Sequence, residues 1–302
     1  MRYVIIIVFF GILYNAIAQD LQYCTIKHDT VVASFNHQWE KVPLEQSERF
    51  VKAYKNDKNT WTAKGFDMTG KKQMTGIFRT EKLNTKEGYF IFFFQNGKIH
   101  SEGNFTNNKK TGEWNWWFDT GEIKENGHFD KKGKKTGYWK SWYSNGILDH
   151  EGSYIADKEN NEWKWYFKNG QQSSKELYKK GKLISFEFWN EDGSKVEGDI
   201  QFDELLESKE SVAALMLYIV EKSEYPERAK QQNITGRVFV EFKIEEDGTI
   251  SNQRVIRSPS YILSQEALRL INSMPDKWMV CKQHNRPIVV TYAVPIKFTL
   301  NE

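Results

Sequence analysis

Aromatic residues and glycines recur every 24 or 25 residues through the middle of the chain. The repeat is clearest when the sequence is aligned on four glycines that each follow a polar turn: Gly97, Gly121, Gly146 and Gly170. Aromatic residues stand seven, four and three positions before each glycine. Those at the seventh position are Phe90, Trp114, Trp139 and Trp163. Weaker copies precede and follow these units, so the array covers residues 60–200.

Each unit has the pattern of a β-hairpin. A polar residue and a glycine between two aromatic-rich runs favour a tight turn, because glycine readily adopts positive φ. A single hairpin is barely stable in water, whereas hairpins in series bury their rings against one another. We therefore predict an antiparallel hairpin array. Three interpretations of its rings compete: a hydrophobic core, an exposed stripe that stacks on the sugars of a wall polymer, and a face that docks a protein.

The best-preserved units resemble MORN-type repeats, in particular the variant found in YwqK-like bacterial repeat proteins. They are GEWNWWFDTGEIKENGHF (112–129) and GYWKSWYSNGILDHEGSY (137–154). The resemblance implies a binding or spacer surface without catalytic activity.

Basic clusters fall in the connections between the units. They comprise residues 107–110, 131–135 and 179–182. Two interpretations apply: the lysines are solvated tips of turns, or they attract anionic polymers of the cell envelope.

The pattern changes after Gly198. Apolar residues at helical spacing between Phe202 and Val220 predict one or two amphipathic helices, and Pro226 suits the first turn of a short helix. Residues 236–244 and 250–256 are predicted as strands around a turn, 264–274 as a helix and 287–300 as a final strand. The predicted order is α-β-β-α-β, a small α+β domain behind a β-rich array.

Several motifs of this region resemble the C-terminal domain of the energy transducer TonB. They are YPERA (225–229), GRVFVEFKIEEDGTI (236–250), VIRS (255–258), EAL (266–268), MP-x-x-W (274–278) and PIVVTYAVPIKFTL (287–300). Two positions depart from the family. Residues 279–281 replace the usual x-Pro-Gly after the tryptophan, and a glycine is missing before Arg286. The loop before the last strand is therefore altered.

The resemblance implies an open edge on the last strand. This edge would accept an extended peptide, such as the TonB box of an outer-membrane receptor, by strand addition. The implied partner-binding residues are Ser223, Glu224, Tyr225, Pro226, Ile288, Val289, Val290, Thr291, Tyr292 and Ala293. Two alternatives stay open: Tyr225 and Pro226 only cap and pack a helix, or the strand pairs within the protein or with a second copy in a homodimer.

The N-terminus has the layout of an export signal. Met1 and Arg2 precede an apolar run over residues 3–14, and Ala16 and Ala18 favour cleavage after Ala18. An uncleaved inner-membrane anchor is the alternative. The predicted segments are 1–18 as signal peptide, 19–59 as N-terminal segment, 60–200 as repeats and 201–302 as the TonB-like domain.

Export permits a disulfide between Cys24 and Cys281, with two separate buried thiols as the alternative. The 43 basic and 40 acidic residues nearly balance, which argues against a nucleic-acid-binding protein. The sequence has no phosphate loop, Cys-x-x-Cys or Gly-x-Ser-x-Gly motif, so we expect no enzyme, metal site or cofactor.

We therefore expect a periplasmic protein that binds another protein through its C-terminal domain. Energy transduction is an alternative, but a transducer needs a membrane anchor and a long proline-rich linker, and this chain has only 6 prolines. A third hypothesis is glycan binding by the repeats, with the C-terminal domain serving for dimerisation.

Overall fold

The computed structural model describes residues 23–27, 30–197, 209–274, 278 and 280–300. The chain divides into two compact units between Phe186 and Glu187. The predicted signal segment and the junction predicted near residue 200 lie outside the described residues. Within those residues, no helix is long and apolar enough to cross a bilayer.

The repeats form one 14-stranded sheet in which strands that follow one another in sequence pair side by side. The strands are β1 (Tyr23–Lys27), β2 (Thr30–Phe35), β3 (Arg49–Lys55), β4 (Trp61–Asp67), β5 (Lys72–Phe78), β6 (Gly88–Phe93), β7 (Ile99–Thr106), β8 (Lys109–Trp117), β9 (Ile123–Phe129), β10 (Lys135–Trp142), β11 (Leu148–Ile155), β12 (Lys158–Tyr166), β13 (Gln172–Lys179) and β14 (Lys182–Phe188). A short 3-10 helix, Leu44–Gln46, lies between β2 and β3. The predicted hairpin array is confirmed, and the sheet also includes strands before residue 60.

In three of the four aligned repeats, a second glycine follows six residues after the turn glycine and lies under a tryptophan. Gly103, Gly127 and Gly152 are each covered by the indole of the following hairpin, and any Cβ at these positions would collide with that ring. Where the fourth unit has Glu176 instead, the buried carboxylate accepts hydrogen bonds from the hydroxyls of Ser174 (2.9 Å) and Tyr178 (2.7 Å). The repeat spacing therefore reflects stacking of each ring on the backbone of the hairpin before it.

The rings of successive hairpins form a ladder of edge-to-face contacts. The ring centroids of Phe105 and Trp114 are 5.0 Å apart, and those of Phe129 and Trp139 are 5.2 Å apart. The four rings at the seventh position before the turn glycines are at most 2% exposed: Phe90, Trp114, Trp139 and Trp163. For these rings the core interpretation is correct.

The second unit packs helices on a small sheet. Its elements are α1 (Lys209–Lys222), α2 (Glu227–Gln231), β15 (Gly236–Ile244), β16 (Ile250–Arg257), α3 (Tyr261–Asn272), β17 (Lys282–Gln283), β18 (Arg286–Pro287) and β19 (Val290–Phe298). The order in the main sheet is β16-β15-β19, and β17 pairs with β18 in a separate two-stranded sheet. The predicted α+β architecture is confirmed, with this small hairpin as an addition.

Helix α3 begins three residues before the start predicted at Ser264. The Ser260 side chain caps it by accepting a hydrogen bond from the Leu263 N–H at 3.2 Å, a local signal that favours a helix start. Leu263, Ala267, Leu270 and Ile271 are buried in the core against β15. This packing holds the sheet from one face.

Candidate functional site

The candidate site is the free side of β19. This strand pairs with β15 over its whole length, from Phe298 opposite Gly236 to Val290 opposite Ile244, without a register shift. On the other side of β19, no strand of the described residues pairs with it. An edge strand of this kind presents unpaired N–H and C=O groups to a partner.

Side chains alternate along β19. Val294, Ile296 and Phe298 are buried in the domain core, whereas the residues between them are exposed on the opposite face of the sheet. The exposed residues are Thr291, Ala293, Pro295 and Lys297. The strand is therefore fixed by one row of side chains, and the other row is accessible.

The position of Pro295 shows which backbone groups face the free side. In an antiparallel ladder, the N–H and C=O groups of one residue both point toward the paired strand. Those of the next residue both point away from it. Pro295 has no N–H, and it lies opposite Phe239 in an uninterrupted ladder, so it occupies a position that is turned away from β15. Thr291, Ala293 and Lys297 share its parity and direct their N–H groups to the free side.

The strand is shorter than predicted at its start. Ile288 and Val289 precede it, because Arg286 and Pro287 belong to β18 and the Ile288 N–H donates to the Cys281 carbonyl at 3.0 Å. Val289 is exposed, whereas Ile288 is half-buried. The prediction of one continuous strand from Pro287 is therefore wrong for these residues.

The predicted segment Ser223–Pro226 connects α1 to α2, and its residues except Glu224 are half-buried. The Tyr225 hydroxyl donates to the Ile234 carbonyl at 2.6 Å, and its ring meets Phe298 edge to face at 5.8 Å. The Pro226 carbonyl accepts from the Ala229 N–H in the first turn of α2. Tyr225 and Pro226 thus contribute to the packing of the domain and to the start of α2, and their contact with a peptide stays a prediction.

Glu266 of α3 holds this connection in place. Its carboxylate is largely buried, accepts from the Glu224 N–H at 3.0 Å and receives two hydrogen bonds of 2.7 Å from Arg269. Arg269 also donates to the Lys222 carbonyl at 3.2 Å, and its contact with Glu266 raises its pKa. The sequence analysis did not predict the ion pair of Glu266 and Arg269. Its signal was an acidic and a basic residue three positions apart in a predicted helix.

The two predicted parts of the site lie at opposite ends of β19. Tyr225 contacts Phe298, at the end of the strand, whereas Val290–Ala293 form its beginning. At a rise of 3.3 Å per residue, Val290 and Phe298 are roughly 26 Å apart. The structure therefore does not bring the Tyr-Pro segment and the first half of β19 together.

Tyr292 connects β19 to the altered loop. Its hydroxyl lies 3.3 Å from the Sγ of Cys281, and its ring stacks on Phe242 at 5.9 Å. The side chain of Cys281 is buried. The backbone of Cys24 lies in β1, but its side chain is outside the described residues, so the disulfide stays a prediction.

Comparison with known proteins finds a family match in each of the two units. Residues 221–300 match the family model "Gram-negative bacterial TonB protein C-terminal", and residues 86–107 and 135–156 match "MORN repeat variant". Both resemblances inferred from the sequence are therefore confirmed. No curated protein matches the chain.

Two solved structures are similar to this chain, both described as NMR solution structures of Helicobacter pylori TonB-CTD. The one of residues 179-285 is 26% identical and covers 35% of this chain and 99% of that chain, with a TM-score of 0.27. The one of residues 194-285 is 29% identical and covers 32% of this chain and 99% of that chain, with a TM-score of 0.25.

Proposed function

We propose that this protein is an exported, non-enzymatic adaptor of the cell envelope that captures an extended peptide as an added strand on β19. The observation that carries the proposal is the position of β19, which has a continuous partner on one side and, within the described residues, none on the other. The match of residues 221–300 to the TonB C-terminal family supports a protein partner of the outer-membrane receptor type. Neither matched family is a family of enzymes.

Main-chain hydrogen bonds would supply the affinity. Each contributes about 0.5–1.5 kcal/mol net, so a short added ladder gives a few kcal/mol before side chains contribute. Thr291 and Ala293 present small exposed side chains beside the free backbone groups, which leaves room for a second strand. Side chains of the peptide would then set specificity.

Pro295 supports pairing of the added strand with the first half of β19. Because Pro295 has no N–H, it interrupts the series of N–H groups on the free side of β19. Thr291 and Ala293 provide two consecutive donors before it, and Lys297 provides a single donor after it. The peptide therefore pairs over residues 290–294, which include four of the ten partner-binding residues inferred from the sequence, Val290–Ala293.

Alternately N-methylated peptides test strand addition. The full chain is titrated with a labelled TonB-box peptide from an outer-membrane receptor of the same source, followed by fluorescence anisotropy. N-methyl groups along the peptide edge that faces β19 should weaken binding by about tenfold or more, whereas methyl groups along the other edge should have little effect. Equal binding of both methylated peptides rejects the mechanism.

Sedimentation equilibrium on the same samples tests whether a second copy of the chain, instead of the peptide, occupies the free side of β19. A monomer that binds the peptide supports capture. A dimer that the peptide does not dissociate assigns the free side of β19 to a second copy of the chain, and the capture proposal then fails.

The adaptor role is separated from energy transduction by the mature N-terminus. A periplasmic chain that begins at Gln19 supports the adaptor, because a released protein has no connection through which to transmit force. A chain that retains Met1 in the inner membrane supports the transducer instead.

A further inference from the structure

The first unit contains a pocket of about 480 Å³ beside the aromatic ladder. It lies between the connection from β2 to β3 and the strands β5 to β8. Three half-buried rings and three cations define it: Trp39, Phe92, Trp116, Arg49, Lys86 and Lys110. Its volume is within the roughly 300–1,000 Å³ of small-ligand sites.

The connection before β3 is shaped to close one side of this pocket. Trp39 has a φ of 62°, and this left-handed backbone turns its indole back over the sheet. The ring lies on Gly65, where an added Cβ would stand 2.5 Å from it, and its centroid is 6.2 Å from that of Phe92. Arg49 covers it at 4.6 Å. An aromatic wall is thus built from two distant parts of the sequence.

Two lysines direct their ammonium groups onto the rings of the pocket. The Nζ of Lys110 is 4.6 Å from the Trp114 ring and 4.7 Å from the Trp116 ring, and the Nζ of Lys86 is 5.3 Å from Phe105. Lys110 belongs to the basic cluster 107–110, for which the sequence left two interpretations, a solvated turn tip or an attractor of anions. The solvated-turn interpretation does not hold for Lys110, because its side chain is half-buried. Lys86, which lies outside the basic clusters, is half-buried as well.

These two cations lack a close counter-ion. Within the part of the chain that the structure describes, no carboxylate forms an ion pair with Lys86 or Lys110. In the next repeat, by contrast, the Nζ of Lys135 lies 3.0 Å from a Glu125 oxygen. Burial lowers the pKa of both lysines, and Glu40 and Glu125 only partly oppose this shift, for Lys86 and Lys110 respectively. A half-buried cation whose nearest carboxylates lie beyond ion-pair distance favours an anion in the pocket.

We propose that this pocket binds an anionic saccharide, a sugar that carries carboxylate or phosphate groups. The C–H groups of a sugar ring pack on aromatic rings, and Trp39, Phe92 and Trp116 line the pocket beside the cations that lie over two of them. The acidic groups meet Lys86 and Lys110. The polar side chains of Gln38 and Gln95 at the same pocket can bond to the hydroxyls. This site lies in the first unit and is independent of peptide capture by β19.

Four probes test the proposal by isothermal titration of the full chain. Oligogalacturonate carries carboxylates, mannose 6-phosphate carries a phosphate, a cello-oligosaccharide is neutral, and polyaspartate is anionic without sugar. We expect oligogalacturonate, mannose 6-phosphate or both to bind about tenfold more tightly than either control, and this comparison identifies the acidic group. Equally tight binding of the cello-oligosaccharide or of polyaspartate overturns the proposal.

Substitution of the lysines locates the site. Lys110→Met keeps the apolar stem and removes the charge, and it should weaken binding of the acidic sugar by about tenfold. Lys132→Met, in an exposed turn outside the pocket, should leave the affinity unchanged. Lys86→Met provides a second variant should the first fail to fold by circular dichroism. Unchanged affinity in a folded pocket variant overturns the assignment.

Discussion

The indole of Trp139 lies on the backbone of Gly127, so closely that a Cβ added to this glycine would stand 2.0 Å from the ring. Gly127 belongs to β9 and Trp139 to the following strand, β10. The contact therefore joins one hairpin of the array to the next.

The variant Gly127→Asn tests this contact. We expect a loss of stability of about 1–3 kcal/mol, because the side chain forces the indole away from its packed position. Gly146→Asn is the matched control. Gly146 has a φ of 80° and open space around it, and asparagine tolerates that conformation. Midpoints of urea unfolding, followed by tryptophan fluorescence, measure both; a larger effect at Gly146 would contradict the stacking role.

The variant Glu266→Gln should loosen the connection between α1 and α2. The charge-assisted hydrogen bonds from Arg269 and the Glu224 N–H are weakened, and we expect a cost of about 1.5–3 kcal/mol. Glu227→Gln removes an exposed ion pair with Lys230 and should cost less than about 0.5 kcal/mol. Denaturant unfolding gives both values. Equal small effects would show that Glu266 does not hold the connection.

Peptide capture should depend on the position of prolines along β19. Ala293→Pro removes an N–H that faces the free side, so we expect the affinity for the TonB-box peptide to fall by about tenfold. Lys297→Pro removes the donor beyond Pro295 and should have little effect. Anisotropy titrations, with melting curves to verify folding, compare the two. Similar losses in both variants would place the peptide along the whole strand.

Asp67 should give the array a pH-dependent contribution to stability. The Thr69 hydroxyl donates to its carboxylate at 2.6 Å, and with the Lys71 N–H it lowers the pKa of Asp67 from 3.8 to about 2. A depressed pKa stabilises the folded chain above pH 3.8, and this stabilisation disappears as the pH falls toward 2. The melting temperature of the wild type should therefore exceed that of Asp67→Asn at pH 7, and the gap should close on acidification.

Thr69→Val provides the control for this pH effect. It removes the hydroxyl that makes the largest contribution to the pKa shift, so the pH-dependent difference in melting temperature should shrink. A difference between the wild type and Asp67→Asn that stays constant from pH 7 to pH 2 would show that the carboxylate does not contribute through its ionisation.

The sequence was sufficient for features that repeat or act locally. The register of glycines and aromatic residues predicted the hairpins, and the alternation over Gly236–Ile244 predicted the observed bounds of β15. The early start of α3 was also available from Ser260, a good helix cap that the periodicity alone did not reveal.

Contacts between distant residues were beyond the sequence pattern. The indole of Trp39 reaches Gly65 only because its own backbone turns to positive φ, which is unusual for tryptophan and has no signal in the periodicity. Glu266 reaches the Glu224 N–H only after α3 packs beside the connection. Such positions depend on tertiary packing, and a single sequence gives no spacing rule for them.

Each tryptophan seven residues before a turn glycine covers a glycine that precedes it in the sequence, so the contacts between hairpins form in the order of synthesis. Gly103, Gly127 and Gly152 each receive their cover from residues that are synthesised later. A nascent chain that emerges N-terminus first therefore always ends in a hairpin with bare backbone and unburied rings. The exposed rings of this last hairpin are therefore the part of the growing array that a protease or a chaperone would recognise.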